Sequence, residues 1–178
     1  MTATIKKIVY ILGLAGMFFL FSGLGCRVSY SLSGASIHAD AKTVSIPFFP
    51  NSSSYVIPTL SAGFTEALQN RFSNRTRLEL VSSDGDLAFS GEIVNTTFSP
   101  TAVTASAEYP AAMMRMTITV RVRFENRIQP EYSFTDRTFS HYEDYPSDQS
   151  PQSAEGDLLP IIMDKLVDDI YQAAVANW

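Results

Sequence analysis

An α+β fold, with two amphipathic helices packed on one face of a four- to five-stranded, mostly antiparallel sheet, follows from a few features of this sequence. From Met114 to Phe124 apolar and polar residues alternate without a phase slip, the pattern of a long strand with one buried face. Two other segments, from about Pro58 to Phe72 and from about Asp157 to Ala174, repeat their apolar residues at helical spacing. The resulting order of strand, helix, several strands and a last helix lays both helices on one sheet.

The elements are read in chain order. Thr43–Phe49 predicts the first strand, with Val44, Ile46 and Phe48 on one face and Pro47 confining it to an edge or bulge. Pro50-Asn51-Ser52-Ser53-Ser54 breaks it. The first helix starts near Pro58 and buries Leu60, Phe64, Ala67, Leu68 and Phe72, with Glu66, Gln69, Asn70 and Arg71 on the other side. A short strand over Arg77–Val81 leads into the turn Ser82–Asp86, where Gly85 is expected to supply the left-handed residue of a hairpin into Leu87–Val94. The long strand turns Met114, Met116, Ile118, Val120, Val122 and Phe124 one way. It is expected to pair with Ile93–Pro100 on one side and Tyr132–Tyr142 on the other. Tyr132 and Phe134 share a parity that Phe139 breaks, which predicts a bulge near Asp136. Tyr142–Glu155 reads as a loop. The last helix is placed from Asp157, a candidate cap, so that Pro160 falls in its first turn. Leu159, Ile162, Met163, Leu166, Ile170 and Ala173 form its stripe, with Asp164, Lys165, Asp168 and Asp169 towards water.

Where the chain works follows from Cys26, its single cysteine. Lys6 and Lys7 precede an apolar run from Ile8 to Phe21, then the small-residue zone Ser22-Gly23-Leu24-Gly25. This is the layout of a bacterial lipoprotein signal peptide, 1–25, with Cys26 as lipid acceptor. A strict lipobox has Leu at the third position before the cysteine; here that is Gly23, with Leu24 one place late. Several acyl chains hold a protein on a membrane firmly, since each buried methylene contributes roughly 0.8 kcal/mol. Residues 26–42 read as a lipidated tether and lead-in, and 43–178 as a single domain.

Composition narrows function. With 13 basic against 18 acidic residues the net charge is −5, and loss of Lys6 and Lys7 would make the body more acidic still. That argues against a nucleic-acid partner. His38 and His141 are isolated and the one Cys is committed to lipid, so no transition-metal ligand set or cofactor is expected. No GxSxG elbow or glycine-rich phosphate loop occurs. Asp84-Gly85-Asp86 lacks the spaced ligands of a calcium loop. Glu143-Asp144 reads as solvated loop rather than an acid/base pair, and the Asn-x-Ser/Thr triplets at Asn51, Asn74 and Asn95 read as surface loops. The chain is therefore not expected to be an enzyme. One polar feature stands out: Arg115, Arg121 and Arg123, with Thr117 and Thr119 between, share the polar face of the long strand. Alternate residues on one face lie about 6.6–7 Å apart, so two guanidiniums such as Arg121 and Arg123 suit phosphates or partner carboxylates. The competing reading is a solvated face paired with acids such as Glu92 or Glu125.

Several stretches in order resemble the LPS-assembly lipoprotein LptE family of Gram-negative outer membranes. They are Cys26 with Tyr30–Ile37, Thr43–Asn51, Phe64–Leu68, Gly85–Ile93, Thr117–Phe124, Tyr142–Pro146 and Val175–Trp178. The resemblance covers essentially the whole chain after the leader. It implies a small α+β domain tethered by its lipid to the periplasm-facing leaflet of the outer membrane. It also implies a plug and assembly partner for the LptD β-barrel, helping to deliver lipopolysaccharide to the cell surface. The alternatives are a stand-alone lipoprotein shuttling a lipid or glycan, which needs an enclosed apolar pocket, and a lipid-anchored hydrolase, which needs a nucleophile and base.

Overall fold

The computed structural model describes residues 37–101 and 112–175. The leader, Cys26 and the closing Ala176-Asn177-Trp178 lie outside the described residues. In chain order the elements are β1 (Thr43–Ser45), α1 (Leu60–Arg75), β2 (Glu79–Val81), β3 (Leu87–Thr101), β4 (Met113–Asn126), β5 (Phe134–Pro146) and α2 (Pro151–Val175). The strands form one sheet in the order β2-β1-β3-β4-β5. The α+β class therefore holds, with a mixed sheet: β3, β4 and β5 are antiparallel, while β1 runs parallel to both of its neighbours.

The parallel half follows from α1. A helix between β1 and β2 is a crossover, and a crossover returns the chain in the same direction. The hairpin expected across Ser82–Asp86 is thereby replaced, because β1 lies between β2 and β3. The connection instead crosses β1 on the face away from the helices. Gly85 lies so close that a Cβ there would sit 2.6 Å from the Ser45 nitrogen and 2.8 Å from the Val44 carbonyl carbon. Asp84, at φ 58°, is the left-handed residue, and no described glycine has positive φ. Gly85 is required by close approach, not by φ. Asp86 ties the crossing down by accepting from the Lys42 and Thr43 amides at 2.8 and 2.9 Å and from Thr43 Oγ1 at 2.9 Å.

β1 is shorter than expected. It ends at Ser45, and after Pro47 the alternation shifts, leaving Phe48 61% exposed and Phe49 fully buried on Phe64. β4 matches its pattern: Met116, Ile118, Val120, Val122 and Phe124 are buried and face the helices. β5 carries the expected bulge. Val122 pairs with Arg137 and Phe124 with Phe134, so an extra residue is accommodated around Asp136, which has φ 55°.

Both helices cover the same face. α1 buries Leu60, Phe64, Leu68 and Phe72, and α2 buries Ile162, Leu166 and Ile170 with Val167 and Tyr171. Aromatic rings run through the layer from Phe72 to Phe89, Phe124, Phe134 and Phe139, with centroids 4.8–6.1 Å apart. α2 starts at Pro151, earlier than Asp157. Ser150 caps it by accepting the Ser153 amide at 3.2 Å. Pro160 lies inside the helix, on its exposed side. The carbonyl it leaves without a partner belongs to exposed Gly156, where water can reach it.

Candidate functional site on the open sheet face

With both helices on one side, the other face of β3, β4 and β5 is left open. The pleat sends Arg115, Thr117, Thr119, Arg121 and Arg123 to that face, opposite the buried residues of β4. Their neighbours across the ladder are Ser99 and Asp144 beside Arg115, Thr97 and Tyr142 beside Thr117, Asn95 and Ser140 beside Thr119, and Glu92 and Thr138 beside Arg121. The face is a field of short hydroxyl side chains, including a Thr119 Oγ1–Ser140 Oγ bond of 3.0 Å, set between charged ends.

The three arginines share the face and differ in their partners. Arg115 donates from Nε and Nη2 to both oxygens of Asp144, at 2.7 and 2.9 Å, and its guanidinium lies 3.6 Å above the Tyr142 ring. The hydrogen bond from Arg115 holds the Asp144 carboxyl below the ordinary carboxylate range, and Asp144 in turn raises Arg115. Arg121 donates to Glu92 Oε1 at 3.3 Å. Arg123, among the described residues, has no carboxylate within ion-pair distance. It lies between two open grooves. One of about 310 Å³ is shared with Arg121, Ser90 and Asp136; the other, about 250 Å³, with Ser45, Ser83 and Glu125.

Glu92, expected as a partner for the row, does pair with Arg121, but the Asp144 partner of Arg115 is not read from the sequence, where Tyr142–Glu155 looks like a loop. The first part of that stretch is the end of β5. Alternation there sends adjacent Glu143 and Asp144 to opposite faces: Asp144 to Arg115, and Glu143 to Lys165 of α2. His141 likewise turns to α2 and meets Asp169 at 2.7 Å. The signal was present, since β4 is long enough to need a partner strand running past Tyr142. Among the described residues no three His, Cys, Asp or Glu side chains gather as metal ligands, and no helix is long and apolar enough to cross a membrane.

These features define a two-layer α+β domain with one covered and one open, polar sheet face. The chain belongs to the LptE family: the family pattern, described as lipopolysaccharide-assembly, matches residues 41–174. Its members are lipopolysaccharide-assembly lipoproteins of the outer membrane. Among solved structures, a hypothetical protein from Chlamydia trachomatis is similar at 13% identity and TM-score 0.49, covering 77% of this chain and 100% of that one. An uncharacterized lipoprotein B from Nitrosomonas europaea matches at 12% identity and TM-score 0.44, over 78% and 90% of the two chains. The rare lipoprotein B from Shewanella oneidensis matches at 9% identity and TM-score 0.41, over 74% and 90%. No curated protein matches the chain.

Proposed function

We propose that this chain is a lipid-anchored, non-enzymatic plug and assembly partner of an LptD-type β-barrel, acting in lipopolysaccharide delivery to the cell surface. The observation that carries the reading is family membership across residues 41–174, nearly the whole described fold. Cys26 supplies the lipid anchor on the periplasm-facing leaflet of the outer membrane, and the open sheet face is the surface offered to barrel or lipopolysaccharide. The grooves that line this face are shallow and open to solvent, which suits a docking surface better than a carrier that encloses its cargo.

Within the arginine row, Arg123 is the leading contact for a lipopolysaccharide phosphate or a partner carboxylate. An anion reaching Arg115 must displace Asp144 from a bidentate pair, and one reaching Arg121 must compete with Glu92. Arg123 carries no such competitor among the described carboxylates.

The test is affinity capture of the full-length protein from outer membranes in detergent, with mass spectrometry of what accompanies it. A large β-barrel should co-purify in near-equal amount; a shuttle or hydrolase would come away without one. Lipopolysaccharide binding by Arg123→Gln should fall almost as far as in the Arg115, Arg121, Arg123 triple Gln variant, with Arg115→Gln near wild type. Wild-type binding should weaken with salt, since exposed charges are screened over about 8–10 Å. Binding by the triple variant equal to wild type would reduce the row to a solvated strand face.

A further inference from the structure

The two margins of the sheet are unlike. β2 is a 3-residue edge, while β5 runs for 13 residues. Exposed edges are commonly guarded by Pro, Lys, bulges or shortness, because their unpaired N–H and C=O groups recruit another strand. β5 has its bulge near Asp136 and a proline at Pro146, but between Arg137 and Tyr145 there is no Pro, Gly or Lys. Most of its own charges are engaged elsewhere: Asp144 is held by Arg115, Glu143 by Lys165 and His141 by Asp169, while Arg137 lies over the Phe134 and Phe139 rings at one end. Among the described residues every ladder partner of β5 belongs to β4, and no other main-chain bond engages Arg137–Tyr145.

A groove of about 570 Å³ runs along this free edge. Its lining includes the consecutive residues Arg137, Thr138, Phe139 and Ser140, of both parities, so it follows the backbone rather than one face of the strand. α2 overhangs it with Asp169 and Ala173. On the helix side Phe139 and Ala173 alternate with the polar groups of Arg137, Asp169 and Gln172. On the open side stand the hydroxyls of Thr138 and Ser140. A strand laid in the groove would turn alternate side chains towards α2 and the others towards Thr138 and Ser140.

We propose that the β5 edge is a strand-addition site for an extended segment of alternating apolar and polar residues, namely a strand of a β-barrel chain that has not yet closed. Membrane barrel strands carry this period-two pattern, and their edges stay unpaired until the barrel closes. Main-chain bonds along β5 provide the affinity and the helix-side groove selects alternate side chains. The proposal rests on the barrel-partner reading above and deepens it by naming the surface that holds a barrel strand.

The test uses the full-length chain in cells, with a photo-crosslinking p-benzoylphenylalanine at Thr138 or Ser140 and a control at Glu79 on the opposite edge. Barrel co-purification is measured in the same preparations. Crosslinks from Thr138 and Ser140 should map to alternate residues of one alternating segment of the barrel, roughly tenfold above the Glu79 control. The double variant Thr138→Lys, Ser140→Lys should abolish crosslinking from a reporter at Tyr142 while its melting temperature stays near wild type. A folded double variant that crosslinks as before overturns the proposal. So do crosslinks to a second copy, to lipid or to a helical segment. A barrel that co-purifies without edge crosslinks sinks the proposal alone; absence of any barrel sinks the functional reading with it.

Discussion

Gly91 and Gly156 show how much a single missing side chain decides. Gly91 faces the helix layer opposite Val122, where a Cβ would lie 2.2 Å from the Arg121 carbonyl oxygen and 2.6 Å from Cε1 of Phe49. The glycine is what lets Phe49 lie on the sheet. Gly91→Ala should destabilise by about 1–3 kcal/mol, as overpacking does, read as a fall in denaturant midpoint. At Gly156 nothing lies within 4 Å of the added carbon, so Gly156→Ala should raise stability by roughly 0.5–1 kcal/mol through helix propensity. Asp86 is a different kind of anchor. The Lys42 and Thr43 amides and the Thr43 hydroxyl hold its carboxyl below the usual carboxylate range. A depressed folded-state pKa contributes stability above the unfolded value of 3.8, and that contribution is lost as pH falls through the lower folded value. Wild type should therefore lose stability in acid below pH 3.8 more steeply than Asp86→Ala; parallel acid melting curves would remove the anchor.

At the scale of elements, the helices dock by their predicted stripes but touch each other through charge. Arg71, expected on a solvated side, is only 12% exposed and donates to both Asp164 and Asp168 of α2. Arg75 adds a longer contact to Asp168. Leu166→Ala should cost about 2–5 kcal/mol as a buried large-to-small change. From sequence, Asp168→Ala would stay within roughly ±0.5 kcal/mol, as a solvated position does. The structure raises that to about 1–2 kcal/mol, because a mostly buried guanidinium loses one acceptor and keeps the other. Double-mutant analysis with Arg71 checks it, and a zero coupling energy would dismiss the cross-helix pair. β4 was legible because strict alternation has only one phase. The end of β5 and the first turns of α2 were not, because Ser, Pro and Asp read as loop while in fact they close a strand and cap a helix.

For the whole molecule, the sidedness of the sheet sets the division of labour. One face is buried under α1 and α2, the other is open and is the face proposed for a partner, and the proposed anchor at Cys26 would hold the protein at the membrane. Cys26→Ala should yield an uncleaved or soluble species that takes up no metabolic palmitate analogue. A mutant that still labels and still fractionates with the outer membrane would refute the anchor.

What sequence alone determined were the properties carried by local order. These are the α+β class, the faces of β4 and both helices, the bulge near Asp136, the common face of Arg115, Arg121 and Arg123, and the resemblance that the family match over 41–174 bears out. Each depends on periodicity or on spacing along the chain. Tertiary structure alone decided that β1 would insert between β2 and β3, that Gly85 would be needed for contact rather than for φ, and that Arg115 would be held by Asp144 while Arg123 would not. These depend on which strands lie side by side. Period-two patterning tells which way a side chain points and is silent on what stands across the ladder.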